Sequence, residues 1–179
     1  MIKFKFTQLQ ENILRFLFIH TGESFNGRRL ANLLGVSSPA ISKSLNLLKK
    51  ENLIILNKNK ESNQLNVSLN MENPLIIGLK RSENIRMIYE SGLVSFFEEE
   101  FPMCTIILFG SFSRGDDYYN SDIDFAIIGT KEKEINLKKF EGIFEKEIRI
   151  NFYKHIKDIN KNLKENILNG IVLSGGIDL

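Results

Sequence analysis

The stretch that most constrains this chain of 179 residues spans residues 108–128, LFGSFSRGDDYYNSDIDFAII. The apolar runs at its two ends, residues 105–109 and 125–128, have the length and composition of buried strands. Asp122 and Asp124 stand at the start of the second run, and strand alternation points both carboxylates the same way. Like charges this close repel unless a cation lies between them. A divalent cation that also bridges to phosphate oxygens satisfies this need, so the stretch predicts a metal–nucleoside triphosphate site.

The turn after the first strand is the predicted phosphate-binding element. Gly110 allows the backbone to approach a ligand closely. A helix is expected to begin just after it, so that free backbone N–H groups and the Ser111 hydroxyl face an anion. Arg114 adds a cation nearby. These residues predict an anion-binding turn opposite the two aspartates.

These residues in this order resemble a known signature. Gly-Ser, ten residues and then Asp-Ile-Asp are similar to the signature of the DNA polymerase beta-like nucleotidyltransferase superfamily. Arg114-Gly115 and Ser121 within that interval resemble the compact form found in the minimal nucleotidyltransferases of bacteria and archaea. The resemblance covers about residues 85–179.

The resemblance implies a role for each matching residue. Asp122 and Asp124 would hold Mg²⁺ and act in catalysis, and Gly110 and Ser111 would hold the triphosphate of an NTP. The matching arginine and serine, Arg114 and Ser121, would complete the nucleotide site. A nucleotidyl group would then pass to an acceptor hydroxyl.

The later strand departs from the superfamily pattern, which places a third carboxylate there. In the segment EIRINFY, residues 147–153, Asn151 best matches the missing acid and is the third predicted catalytic residue. An asparagine carbonyl can ligate Mg²⁺ but cannot accept a proton at neutral pH. Glu147, on the same face, is ~13 Å away at ~3.3 Å per residue, and Arg149 adds positive charge where a metal would bind. We therefore expect either a weakened transferase or a domain that binds nucleotide without turnover.

The first seventy residues predict a different kind of domain. Apolar periodicity predicts helices over residues 8–20 and 26–34, and a third that Ser37 or Ser38 caps, with Pro39 in its first turn. Two strands follow at residues 53–56 and 65–69, joined by a polar loop. Three helices and a hairpin with a basic tip resemble the winged helix-turn-helix domain of many bacterial and archaeal regulators.

The third helix of this domain has two distinct faces. Ile41, Leu45 and Leu48 are spaced to face the core. The opposite face is small, polar and basic, as a helix in a DNA groove requires. The predicted DNA-binding residues, from this helix and from the hairpin, are Ser38, Ser42, Lys43, Asn46, Lys49, Lys50, Lys58 and Lys60. The alternative is a winged helix used for dimerisation or protein contact.

Charge and composition agree with two units that have different partners. Residues 1–70 hold ten Lys and Arg against four Asp and Glu, a net charge of +6, whereas residues 71–179 hold fourteen against eighteen, a net charge of −4. One cysteine, Cys104, excludes an internal disulfide framework and is typical of a reducing cytoplasm. No signal peptide or membrane span is expected, because no apolar run approaches ~18 residues.

We predict an α+β protein with a winged helix-turn-helix over residues 1–70, a helical connector over 71–100 and a nucleotidyltransferase-like domain with a mixed sheet over 101–179. The connector's apolar stripe indicates packing or a dimer helix, and a homodimer is compatible with a winged helix. The preferred function is Mg²⁺-dependent nucleotidyl transfer from an NTP to an unknown acceptor, weakened by the Asn151 replacement, with DNA bound by the first domain. The alternative is a DNA-binding transcriptional regulator whose degenerate transferase domain binds nucleotide or a partner without catalysis. No GxxxxGK[ST] motif is present, which argues against a P-loop enzyme.

Overall fold

A computed structural model describes residues 6–58 and 65–177 of the chain. The chain divides into two compact units, Met1–Lys80 and Arg81–Leu179. Among the described residues, no helix combines the length and the apolar character that crossing a membrane requires.

The first unit contains three helices and a small antiparallel sheet. Strand β3 lies between β1 and β2 in this sheet. The elements are α1 (Gln8–Ile19), β1 (Phe25–Asn26), α2 (Gly27–Leu33), α3 (Ser38–Lys50), β2 (Ile54–Lys58) and β3 (Leu65–Leu69).

Each helix of the first unit begins at a side-chain cap. The Thr7 hydroxyl accepts from the backbone N–H of Gln10 at 3.3 Å, and the Gln10 side chain accepts from the Thr7 N–H at 2.8 Å. Asn26 caps α2 and Ser37 caps α3, one residue or less from the predicted starts. These caps satisfy N–H groups that have no partner within the helix.

The core of the first unit follows from the periodicity of the helices. Ile41, Leu45 and Leu48 of α3 are buried, as predicted, and pack with residues of α1 such as Ile13 and Leu17. Three helices followed by an antiparallel hairpin form a winged helix arrangement. The observed β2 starts one residue later than predicted and runs to Lys58, because its pairing with β3 continues to Lys58↔Leu65.

The segment between the predicted domains forms two helices, whose buried residues belong to one core or to the other. Helix α4 (Pro74–Glu90) crosses the division between the units, and α5 (Leu93–Glu100) follows after Gly92, which takes a left-handed conformation at φ 79°. Ile76 packs into the core of the first unit, whereas Ile88 packs into the core of the second. Tyr89 of the predicted apolar stripe is half exposed instead.

The second unit is built on a mixed four-stranded sheet in the order β6-β5-β4-β7. Strands β4 and β5 are antiparallel, β4 and β7 are antiparallel, and β5 and β6 are parallel, which confirms the predicted α+β class with a mixed sheet. The elements after α5 are β4 (Thr105–Phe109), α6 (Gly110–Arg114), β5 (Ile123–Ile128), α7 (Lys138–Phe144), β6 (Ile148–Tyr153), a 3₁₀ turn (Ile156–Asp158), α8 (Lys161–Leu168) and β7 (Ile171–Ser174).

Successive side chains of β4 and β5 point to opposite faces of this sheet, and both faces are covered by helices. One face packs residues such as Leu108 and Phe125 with α5 and α7, and the other packs Ile107 and Ala126 with Ile167 of α8. Both strands are therefore almost continuously apolar. Asp124 has the same parity as Ala126 and so belongs to the α8 face of the sheet.

Candidate nucleotide site and candidate nucleic-acid interface

The predicted phosphate turn lies directly against the second aspartate. Gly110 follows β4 with φ +76°, and a Cβ atom at this position would lie 2.5 Å from Oδ2 of Asp124. The antiparallel register pairs Phe109 with Asp124, which brings the end of β4 beside the start of β5. Both the backbone conformation and the space available at residue 110 therefore require glycine.

The two aspartates lie at the start of β5, on the face of the sheet that packs against α8. Asp122 immediately precedes β5, and Asp124 is the second residue of that strand; both side chains are partly exposed. Burial raises the pKa of Asp124, the negative charge of Asp122 raises it further, and the charges of Arg149 and Arg114 lower it. The ionised form of Asp124 is therefore disfavoured by burial and by the charge of Asp122, an effect that two nearby guanidinium groups partly offset.

Arg149 lies beside the aspartates, in a place where sequence analysis had given it only a secondary role. The parallel register pairs Arg149 of β6 with Asp124 of β5. Its Nη1 atom lies 2.7 Å from Oδ2 of Asp122, and Nε lies 3.4 Å from Oε1 of Glu147. The Arg149 side chain remains 56% exposed, so its guanidinium also faces solvent at the mouth of the site.

Asn151, the residue predicted to replace the third carboxylate, lies one pair further along the strands. It pairs with Ala126 rather than with an aspartate. Of the residues on this face of β6, Arg149 is thus the one whose register position adjoins Asp124. Asn151 shares the face of Arg149 and lines the same cavity.

Asp124, but not Asp122, lines an open cavity of about 670 Å³. The lining brings together the predicted residues Gly110, Arg114 and Asn151, and adds Arg149 and Asn166, the latter from α8. Arg114 also pairs with Asp116 across 3.2 Å. A cavity with two guanidinium groups and a close backbone approach has the chemistry to bind a phosphorylated ligand.

Ser121 has a structural contact within the loop that leads to Asp122. Its hydroxyl accepts a hydrogen bond from the Tyr118 backbone N–H at 2.9 Å. Ser111 stands in the first turn of α6, where its carbonyl accepts from the N–H of Gly115 at 2.9 Å. Both serines therefore lie in segments that flank the site.

A buried polar network beneath this loop was missed by sequence analysis. The side chains of Asp117 and Lys146 are 0% and 3% exposed, and Lys146 Nζ lies 3.4 Å from Asp117 Oδ2. Lys146 also donates to the carbonyl of Tyr118, and Asn84 Nδ2 donates to Asp117 Oδ1 at 2.8 Å and to the Phe112 carbonyl at 2.9 Å. Burial lowers the pKa of Lys146, and the charge of Asp117 opposes this shift. The two aspartates of DDYY gave no sign of which one would be buried.

The donor set differs from that of a two-metal centre. Mg²⁺ takes oxygen ligands in near-octahedral geometry, whereas a guanidinium group has no acceptor atom. Within residues 6–58 and 65–177, no group of three or more His, Cys, Asp or Glu side chains is arranged to hold a metal ion. Asp122 and Asp124 offer oxygen ligands for a cation, as do Glu147 and Asn151 in the cavity lining, but Asp122 and Glu147 are already paired with Arg149.

The first unit presents the polar face of α3 that sequence analysis predicted. The surface is continued on α2 by Arg28 and Arg29, which sequence analysis did not select although two adjacent arginines at a helix start are a visible signal. These arginines line a groove with Ser38 and Ser42. Lys60 lies outside the described residues. The predicted residues that the structure describes are all exposed: Ser38, Ser42, Lys43, Asn46, Lys49, Lys50 and Lys58.

Comparison with known families and with solved structures gives two results. Residues 92–175 match the family model described as polymerase beta, nucleotidyltransferase. This match supports a nucleotidyltransferase domain over the region that contains the turn, the aspartate pair and β6.

The similar solved structures include a repressor, a transcription regulator and a MarR family member. The MepR–DNA complex of Staphylococcus aureus is 18% identical, with a TM-score of 0.40 over 52% of this chain and 77% of that chain. AdcR, the adhesin competence repressor of Streptococcus pyogenes, is 19% identical, with a TM-score of 0.42 over 54% and 69%. ZitR, a zinc-responsive MarR family member of Lactococcus lactis, is 23% identical, with a TM-score of 0.40 over 55% and 68%. No curated protein matches this chain.

Proposed function

We propose that this protein is a DNA-binding regulator whose nucleotidyltransferase domain binds a nucleoside triphosphate without transferring its nucleotidyl group. The proposal thus selects the second of the two functions that the sequence left open. The basic first unit is the DNA-binding part, and the second unit is the nucleotide-binding part.

Nucleotide binding is supported by the groups that converge on the cavity. Gly110 leaves the backbone open to close approach, and Arg114 and Arg149 supply donors in the fork geometry that suits phosphate oxygens. The aspartates alone would repel a triphosphate, so the guanidinium groups are needed for an anionic ligand to bind.

The position of Arg149 is the observation that supports the absence of nucleotidyl transfer. A third carboxylate that shares a metal ion with Asp122 and Asp124 must adjoin both, and the position that does so holds a guanidinium. Arginine stays protonated at all physiological pH values and cannot act as a general base for an acceptor hydroxyl. Asn151, one pair further on, cannot accept a proton either.

Calorimetry and a transfer assay on the full chain test the two parts of this claim. Each of the four NTPs is titrated into the protein, and radiolabelled NTP is incubated with protein, RNA and DNA in Mg²⁺. We expect saturable binding of at least one NTP and no labelled product above the level of an Asp122→Ala, Asp124→Ala double variant. Absence of binding for every NTP would contradict the nucleotide-binding role.

Mg²⁺-dependent nucleotidyl transfer is the second candidate, because both aspartates are retained against the Gly110 turn. In that case Asp122 and Asp124 would hold Mg²⁺, and Arg149 would have to leave Asp122. Labelled product that the double aspartate variant abolishes would establish this candidate. An increase in product on Asn151→Asp or Arg149→Asp would identify which position lacks the missing acid.

DNA binding is supported by the exposed polar and basic face of α3 and its continuation on α2. Lysines along a helix face contact phosphates and give salt-dependent affinity, while Ser42 and Asn46 have the side chains to reach base edges. The charge of the first seventy residues favours the same partner.

A gel-shift assay over a range of salt concentrations tests DNA binding. We expect the full chain to bind duplex DNA with an affinity that falls as salt rises. A Lys43→Ala, Lys50→Ala variant should lower the slope of log affinity against log salt by about 0.9 for each phosphate contact removed. Lys131→Ala with Lys138→Ala, two exposed lysines of the second unit, is the matched control. An unchanged slope in the α3 variant would exclude this face.

A cytoplasmic location and a homodimer complete the proposal. Both are compatible with a regulator that binds two half-sites. Light scattering on the purified protein measures the assembly, and cell fractionation with an antibody measures the location. A protein that stays monomeric with and without DNA would remove the dimer from the proposal.

A further inference from the structure

The guanidinium of Arg149 occupies the space beside the two aspartates where a cation would bind. Neighbouring strands lie about 4.8 Å apart, and the parallel register makes Arg149 the direct neighbour of Asp124. The same guanidinium lies 2.7 Å from Asp122. One side chain of the chain itself thus contacts the first aspartate and adjoins the second.

The two aspartates already have cationic partners within the chain. Asp122 lies 2.7 Å from Arg149, and the charges of Arg149 and Arg114 both act on Asp124. The same two arginines also pair with Glu147 and Asp116. A divalent cation entering here would be repelled by both arginines, and it would gain no ligand from Arg149, because a guanidinium only donates. Binding a metal would require breaking the pair between Arg149 and Asp122.

The Arg149 side chain also has free capacity toward a ligand. It is 56% exposed and carries five N–H donors in a planar fork. Nη1 contacts Asp122, while Nε and Nη2 contact Glu147. One N–H on each of Nη1 and Nη2 remains for a phosphate oxygen. Arg149 also lines the cavity with Gly110.

We propose that Arg149 replaces the divalent cation of this site, so that the domain binds the triphosphate of a nucleotide without Mg²⁺. This inference rests on the proposed function, because it concerns how the same site binds its nucleotide. Arg149 performs the two tasks of a divalent ion: it offsets the negative charge of the aspartates and it binds the phosphates.

Calorimetry with ATP on the full chain tests the inference, with the other NTPs used if ATP is not the preferred one. Each titration is run in EDTA and in millimolar Mg²⁺. For the wild-type chain we expect affinities that agree within about threefold in the two buffers. Arg149→Ala should weaken binding in EDTA by about tenfold or more, the loss expected for one charge-assisted hydrogen bond.

A second variant replaces the arginine by a carboxylate, which should convert the site into one that binds a metal ion. Arg149→Asp adds a third carboxylate beside Asp124, and we expect it to bind ATP at least about tenfold more tightly in Mg²⁺ than in EDTA. Lys138→Asp makes the same change of charge on α7. It should leave the affinity in both buffers unchanged, so an effect of net charge alone is distinguished.

Binding of Mn²⁺ without nucleotide, followed by electron paramagnetic resonance, is a readout independent of ATP. We expect no binding at micromolar Mn²⁺ for the wild-type chain and binding for Arg149→Asp. Micromolar Mn²⁺ binding by the wild-type chain overturns the inference. ATP binding that requires Mg²⁺ overturns the inference alone, whereas absence of nucleotide binding in both buffers overturns the proposed function and the inference with it.

Discussion

At the scale of single residues, Gly110 sets the geometry between the turn and the aspartates. Its φ of +76° is a conformation that costs another residue about 1–2 kcal/mol. Any Cβ atom would also come within 2.5 Å of Asp124 Oδ2. The side chain of Asp124 would have to rotate, which changes the shape of the cavity mouth.

We therefore predict that Gly110→Ala lowers the free energy of unfolding by about 1–2 kcal/mol and weakens NTP binding about tenfold or more. Thermal unfolding and calorimetry measure the two effects. Gly142→Ala is the matched control, because Gly142 lies inside α7 with a negative φ and open space around its Cα. It should stabilise the protein by about 0.5–1 kcal/mol and leave NTP binding unchanged. If Gly110→Ala binds NTP with wild-type affinity, close approach of the nucleotide to the backbone at residue 110 is not needed for binding.

At the scale of elements, the loop between α6 and β5 depends on a buried ion pair. Lys146, just before β6, contacts Asp117 and the carbonyls of Tyr118 and Ser121. Asn84 of α4 contacts the other oxygen of Asp117. Two segments distant in the sequence, α4 and the residue just before β6, thus hold the loop that precedes Asp122.

Removing one partner of this pair should be costly, because a charge would stay buried without the other. We predict that Lys146→Met lowers the free energy of unfolding by about 3–5 kcal/mol. Urea unfolding followed by circular dichroism measures the change, and Lys154→Met, at an exposed lysine, should remain within about 0.5 kcal/mol of the wild type. An Asp117→Asn, Lys146→Met variant should recover part of the loss. A Lys146→Met variant as stable as the wild type would show that the pair contributes nothing.

At the scale of the whole molecule, the two units carry separate cores and separate candidate sites. Residues such as Leu45 and Val67 form the core of the first unit, and residues such as Phe97 and Phe125 form that of the second. The charge split in the sequence parallels this division. Substitutions on the surface of one unit should therefore leave the folding of the other intact.

The corresponding prediction is that the two binding activities can be lost separately. The Lys43→Ala, Lys50→Ala variant should lose DNA affinity and keep wild-type NTP affinity. Conversely, Arg149→Ala should lose NTP affinity while its DNA binding without nucleotide keeps the wild-type salt dependence. Gel shifts and calorimetry on the same preparations measure both. Loss of both activities in either variant would mean that the units do not act as separate binding modules.

Local sequence determined the elements, because periodicity and capping act over a few residues. The strand at Thr105–Phe109 and the strand at Leu65–Leu69 have their predicted bounds, and α1 ends one residue before its predicted end. Predicted β5 was too short at its start, since pairing with its two neighbours continues through Asp124. A run of apolar residues indicates a strand only where both of its faces are covered. A strand with a polar residue near its start, as β5 has at Asp124, is therefore predicted too short.

The sequence by itself determined the glycine turn and the pair of aspartates, because each depends on residues close together in the chain. Only the tertiary structure decided that Arg149 rather than Asn151 adjoins those aspartates. That contact depends on the register between β5 and β6, which is set by the packing of the whole sheet. The burial of Asp117 with Lys146 was decided in the same way, because these charges are 29 positions apart and meet only when the loop closes over the core.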